Sequence, residues 1–268
     1  MSSPSTIPLR PSIGIIGFGA FGRLIAEHLA PHFPLRAHDP FLPSGGSGER
    51  HGVVQTDLQE AARCSVVILA TPVESLAKVV RAVGPHLRPN TLVLDVGSVK
   101  TLPVEIMREG LPPHVEIIAT HPLFGPHSAR SGVRGLKIAL CPVRGRSAVR
   151  VAAFLRKVLG LEVILTTPEA HDREVAAVQG LTHLIAKVLV EMEPLPTRMT
   201  TRSFELLMQA VSMVRHDVPE VFQAIERSNP YAADVRQRFF AFASKLEVEL
   251  SSDKHRTAAR LNPAERLQ

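Results

Sequence analysis

The chain has no tryptophan, one tyrosine and only two cysteines. Cys64 and Cys141 lie too far apart in sequence to suggest a disulfide framework or a metal-ligand spacing, which fits a reducing compartment. No apolar run is long enough to span a bilayer. Met1–Ser12 lack the apolar stretch of a secretory signal. The expected location is therefore the cytoplasm, and a plastid would require a removed transit peptide. Aromatic residues make up 4%, too few for a platform on which bases stack. The formal net charge is +6, yet no run of five or six basic residues occurs. That scatter argues against a nucleic-acid partner and leaves a field that attracts small anions, such as a dinucleotide or a dicarboxylate.

What is present is a globular pattern. A chain of 268 residues, 45% hydrophobic, can bury one large core or two modest ones. Ile13–Gly17 reads as a buried strand and Ala20–Leu29 as a helix. Strands follow at Leu35–His38, Val66–Ala70, Thr91–Val96 and Glu116–Thr120, with helices from Thr71-Pro72 to about Val83 and over Lys100–Glu109. Pro40–Glu49 reads as a loop. The alternation continues through Lys137–Cys141, Ser147–Leu159 and Glu162–Leu165. It predicts an α/β fold with a doubly wound, mainly parallel sheet. Beyond Pro168 the strand signals stop. Helices are expected over Glu169–Glu191, Thr200–Arg215, Pro219–Arg227 and Pro230–Leu250. The expected organisation is a flexible N-terminus (1–11), a Rossmann-type dinucleotide-binding domain (12–167), a helical domain (168–250) and a polar tail (251–268). The apolar segments Leu181–Leu189 and Phe204–Val214 need a partner surface. A second subunit supplies it most economically, so a homodimer is expected; packing on the α/β domain is the alternative.

Gly17-Phe18-Gly19-Ala20-Phe21-Gly22 follows a strand, opens a helix and precedes Asp39. The first glycine permits the tight turn, the second lets backbone approach pyrophosphate, and the third allows close helix–strand packing. Free N–H groups at the helix start favour phosphates. Asp39 at the tip of the second strand would accept ribose hydroxyls and repel a 2′-phosphate, which favours NAD over NADP. Arg36 and Arg50 are the nearby cations that would reverse that preference. Thr71 and Pro72, at the end of a later strand, belong to the same cofactor-binding edge. Ser98 and Lys100, in Asp95-Val96-Gly97-Ser98-Val99-Lys100, follow a strand whose end faces the ligand cleft; Ser98 serves equally as a helix cap. His121 ends the next strand, where it can take a proton from a hydroxyl as hydride leaves the same carbon. His171, Asp172 and His183 lie on one predicted helix, and as isolated residues read as capping and core groups. No cysteine or acidic cluster accompanies them, so no metal is expected.

In this order the motifs resemble the prephenate/arogenate dehydrogenase family, closest to the plant-type arogenate dehydrogenase branch. The resemblance covers about Ser12 to Leu250. It is carried by the glycine turn, Asp95–Lys100, Thr120-His121-Pro122-Leu123-Phe124-Gly125-Pro126, His171-Asp172 and Leu181-Thr182-His183. It implies an NAD(P)-dependent oxidative decarboxylation of a cyclohexadienol in tyrosine biosynthesis. It further implies that His121 deprotonates the ring hydroxyl, that Ser98 supports His121 and approaches the nicotinamide, and that His183 lines the substrate pocket. Arg202, in Thr200-Thr201-Arg202, matches an arginine that binds a substrate carboxylate. Gln179 stands where the family often has serine, and Gly180 where it has histidine, which alters that turn's substrate contacts. Cys141 matches the position where plant-like arogenate users place an aspartate for the substrate ammonium. A neutral residue there favours the keto acid, so prephenate is the expected substrate and arogenate the alternative. A hydroxyacid dehydrogenase of the 6-phosphogluconate type would leave His121 unexplained, since its catalytic lysine is expected early on the first helix after the α/β domain and here only Lys187 appears, late. A non-catalytic NAD sensor should lack the Ser98, His121 and His183 set.

Overall fold

In the computed structural model, residues 11–42 and 52–261 are described. Among the described residues there are eight strands: β1 (Ile13–Ile16), β2 (Leu35–His38), β3 (Val53–Gln55), β4 (Val66–Leu69), β5 (Leu92–Asp95), β6 (Glu116–Pro122), β7 (Lys137–Arg144) and β8 (Glu162–Leu165). They form one sheet in the order β3-β2-β1-β4-β5-β6-β7-β8. Every neighbouring pair is parallel except β6 and β7, which are antiparallel. Residues 123–136 join that pair without a helix, and helical crossovers are the usual route between parallel strands. The order reverses beside β1, and in such sheets ligands bind at the carboxyl ends of the strands there.

Because side chains alternate across a strand, successive residues feed two cores. Leu92, Leu94, Ile118 and Leu140 pack on the side that receives α1 (Ala20–Leu29) and α5 (Ala148–Lys157). Val93, Ile117, Ala119 and Cys141 face the other side, covered by α2 (Leu58–Ala62), α3 (Val73–Val83) and α4 (Thr101–Gly110). The short β3 and α2 are absent from the sequence reading, because three- and five-residue elements carry too little periodicity to register. Asp57 starts α2 by accepting a 2.7 Å bond from the Glu60 backbone N–H.

All strands precede α6 (Pro168–Glu191). Thr167 caps this helix by accepting from the Ala170 N–H at 3.2 Å, and Pro168 occupies the first turn, where a missing N–H costs nothing. Then come α7 (Arg202–Val214), α8 (Pro219–Gln223), a π turn over Ala224–Ser228, and α9 (Ala232–Leu261). Helix α9 thus runs on beyond Leu250 through Leu261, where a polar tail was expected. Residues 1–10, most of the Pro40–Glu49 loop, Arg50 and residues 262–268 lie outside the described residues. Among the described residues no helix is long and apolar enough to cross a membrane.

Candidate active site

The glycine turn has the shape its spacing predicts. Gly17 adopts φ +97°, and a Cβ there would meet the Ala70 carbonyl oxygen at 2.4 Å. A Cβ on Gly22 would strike the Gly17 carbonyl oxygen at 2.2 Å. Around Gly19, by contrast, a Cβ would meet nothing within 4 Å. The first and third glycines are therefore demanded by packing, and the second leaves open space at the uncapped start of α1. Asp39 closes the turn: its Oδ2 accepts from the Phe18 N–H at 2.7 Å and its Oδ1 from the Phe41 N–H at 2.9 Å. Phe18 is buried in the core. Thr71 packs its methyl group against Gly17, and Pro72 starts α3. The cradle fits a dinucleotide.

At the ends of β5 and β6 a buried polar network holds His121. Lys100 is fully buried, and its ammonium donates to Asp95 Oδ2 and to the Thr120 carbonyl oxygen. It ties two strand ends together and is unavailable to the cleft that its sequence position suggested. Burial raises the Asp95 carboxyl, with Lys100 opposing. His121 is 3% exposed. Its Nδ1 lies 2.8 Å from His171 Nε2, with the two rings edge to face. His171 Nδ1 in turn lies 2.8 Å from Asp172 Oδ1. The Asp172 carboxylate also accepts the backbone N–H groups of Lys100 and Thr101, at 2.7 and 2.8 Å. These bonds outweigh burial and hold its carboxyl below the usual range. On the far side of the His121 ring, Gln179 Nε2 lies 3.4 Å from Nε2. Burial first, then the neighbouring His171 and Lys100, push His121 well below the ordinary histidine range.

One helical turn beyond Gln179, His183 lines a cavity of about 350 Å³ together with Lys187, Arg215, Asp217, Phe222 and Arg227. His183 Nδ1 is 2.9 Å from the Gln179 carbonyl oxygen and Nε2 is 3.3 Å from Asp217 Oδ2. Both ring nitrogens thus face oxygen atoms. Asp217 also approaches the loop after β6: its Oδ1 lies 3.9 Å from where a Cβ on Gly125 would sit.

The structure therefore connects His121 to the Gln179 side chain and His183 to the Gln179 backbone, and joins His171 and Asp172 to His121. Ser98 is half-buried after β5, and among the described residues its hydroxyl bonds to nothing; the His121 ring is held by His171 instead. Arg202 is not in the cavity. It sits at the start of α7 with its side chain 72% exposed, beside Glu205. The cavity's own cations are Lys187, Arg215 and Arg227, of which Arg215 already holds Glu193 at 2.8 and 3.0 Å. Cys141 is the clearest correction. It pairs with Ala119 in the interior of β7, is 0% exposed, and burial pushes its thiol up to about 12. It packs in the core formed with Ala119, Val93 and Ile117. The sequence reading missed Asp217, which sits in a short loop without a motif of its own. It also left His171 a capping group, although the adjacent His171-Asp172 pair was a visible signal.

Known proteins agree with this layout. Residues 47–188 match the family model described as prephenate dehydrogenase, nucleotide-binding domain, and residues 167–261 the model described as prephenate dehydrogenase, dimerization domain. The glycine turn precedes the matched range. Arogenate dehydrogenase 2, chloroplastic, of Arabidopsis thaliana is 30% identical over 258 residues, covering 91% of this chain and 71% of that protein. A probable arogenate/prephenate dehydrogenase of Methanocaldococcus jannaschii is 28% identical over 211 residues, covering 75% of this chain. The chain spans only 46% of the length of that relative. Prephenate dehydrogenase from A. aeolicus, solved with hydroxyphenyl propionate and NAD+, superposes with a TM-score of 0.71 at 18% identity, over 94% of each chain, a likeness of fold. With the two family matches running from residue 47 to 261 without a gap, the chain belongs to the prephenate dehydrogenase family.

Proposed function

We propose that this chain catalyses the NAD-dependent oxidative decarboxylation of a cyclohexadienol acid of the prephenate and arogenate type, acting as a cytoplasmic homodimer. The observation that carries the reading is His121, a buried imidazole at the end of β6 with Nε2 turned toward the Gln179 amide, one helical turn from His183. Held below the ordinary histidine range, it is neutral at physiological pH and able to accept a proton. A ring hydroxyl that takes the place of the Gln179 amide meets this nitrogen. Gln179 Oε1 is buried without a partner, so the same amide has an acceptor to offer the incoming group. Lys187 and Arg227 supply positive charge for the substrate carboxylates.

The open space at Gly19 and the uncapped α1 terminus suit a pyrophosphate. Asp39 at the β2 tip favours NAD over NADP. NAD, when bound, supplies the hydride acceptor. The chain's part is to hold the hydroxyl, remove its proton and exclude water from the reacting carbon. Ser98, its hydroxyl free beside the end of β5, belongs to the nicotinamide side. Exposed apolar residues on the long helices, Val178, Val188, Phe240, Phe242 and Leu246 among them, suit burial by a second copy.

The case for prephenate over arogenate rested on Cys141 and falls with its burial. A specific observation now favours arogenate: Asp217 places a carboxylate, 29% exposed, on the cavity wall beside His183. A carboxylate there attracts the ammonium that arogenate carries and prephenate lacks. The test is NADH formation with each substrate and each of NAD and NADP. Turnover of either substrate with NAD supports the reading, and a higher kcat/KM on arogenate supports Asp217 as the discriminator. Turnover of neither substrate defeats the proposal.

A further inference from the structure

We propose that His171 and Asp172 form a relay that fixes the tautomer of His121, so that Nδ1 carries the hydrogen and Nε2 presents its lone pair to the substrate hydroxyl. The proposal rests on the reading of His121 as the base and adds two positioning residues to it. Its argument is a count of donors and acceptors. Asp172 already accepts two backbone N–H groups. A carboxylate offers only acceptors, so the 2.8 Å contact with His171 requires hydrogen on His171 Nδ1. In the neutral His171 ring Nε2 is then a lone pair. The 2.8 Å contact from that nitrogen to His121 Nδ1 therefore requires hydrogen on Nδ1 of His121. His121 Nε2 is left as an acceptor. On the opposite side of the ring the Gln179 amide places Nε2, a donor only, 3.4 Å from that nitrogen.

The supports of this relay are themselves fixed. Asp172 is 0% exposed, and its backbone carbonyl oxygen accepts from Asn229 Nδ2 at 2.8 Å. The relay therefore spans three elements: the β6 end, the start of α6 and the residue after the π turn. When the hydroxyl proton reaches His121 Nε2, the ring becomes an imidazolium whose Nδ1–H still donates to His171. The Asp172 charge, transmitted through one polarised ring, stabilises that cation inside a site from which water is excluded. No proton need move beyond His121 for the step to balance.

The first measurement is the ¹⁵N spectrum of the histidine side chains in the wild-type protein, with His121 assigned by the loss of its signals in His121→Asn. Hydrogen on Nδ1 of His121 is the expected result. Hydrogen on Nε2 overturns the relay, and it does so without any His171 variant having to fold. The second measurement is kinetic. His171→Phe keeps the volume and removes the acceptor. It should lower kcat by on the order of a hundredfold or more, with KM for the ring substrate and NAD affinity changed less than about threefold. His171→Gln restores an acceptor oxygen and should recover part of the loss. An unchanged kcat in His171→Phe, or a loss that lies in KM alone, overturns the proposal. If the wild-type protein turns over neither substrate, the functional reading fails by itself, while the tautomer measurement still decides the relay.

Discussion

Helix α6 supplies the histidines of two histidine–aspartate pairs that look alike on paper and differ in origin, distance and exposure. His171 and His183 are twelve residues apart, about 18 Å along the axis. The first pair is closed: Asp172 is its sequence neighbour, the contact is 2.8 Å, the side chains are 2% and 0% exposed, and two backbone N–H groups complete the carboxylate. The second is open: Asp217 comes from the loop after α7, the contact is 3.3 Å, and the carboxylate is 29% exposed with one oxygen uncommitted. A closed pair can only orient. An open pair can respond to a ligand, because its second oxygen can still accept a bond. On the proposed function, the contrast divides the site into a fixed chemical end and an adjustable recognition end.

The largest effect should come from breaking the object of the closed end. His121→Asn should lower kcat by about 10²–10⁴-fold, with NAD affinity, followed by fluorescence titration, nearly unchanged. Next comes stability. Asp172→Ala strips partners from two backbone donors and a buried ring, and should cost about 3–5 kcal/mol in urea unfolding. Asp217→Ala, breaking a partly exposed pair, should cost about 1 kcal/mol or less. Equal losses would erase the contrast. Third, Asp217→Asn should lower the ratio of arogenate to prephenate kcat/KM by about tenfold, roughly 1.4 kcal/mol of selectivity, with prephenate turnover retained. A ratio that stays put would make Asp217 a support for His183 only. The smallest effect is a pH response. The folded-state pKa of His121 is depressed, while the unfolded ring titrates near 6.5. Unfolding is therefore accompanied by proton uptake below about pH 6.5, so this group's stability is complete above that pH and declines as pH falls from there. By the same shift, kcat/KM should be flat through neutrality and fall on the acid side only below about pH 6.5.

The sequence was most legible where one residue type has one physical use. The glycine turn is such a place: clashes at Gly17 and Gly22 and open space at Gly19 follow from spacing alone. The alternation of strands and helices gave the sheet and even the bounds of α1 and β2. Placement across long sequence separations was not legible. Cys141 was numbered to a substrate position, but alternation along β7 turns it into the core beside Ala119. Lys100 read as a cleft residue because lysine is seldom buried; Asp95, five positions earlier, is what permits it. Asp217 meets His183 across 34 positions, and nothing local to either announces the meeting. The relay needed both kinds of information, since His171-Asp172 is adjacent in sequence while His121 arrives from a different strand.

The burial that removes Cys141 from the substrate also gives the molecule an internal clock. Cys64 and Cys141 are both buried, at 1% and 0% exposure. Cys141 stays a thiol at any ordinary pH, and thiolates are what alkylating reagents attack. Each sulfur can react only when the structure around it opens, the β7 strand for Cys141 and the bend between α2 and β4 for Cys64. The labelling rate of the native protein therefore reports how often that core comes apart, and a ligand that fastens β5, β6 and α6 together should slow it in proportion to its grip.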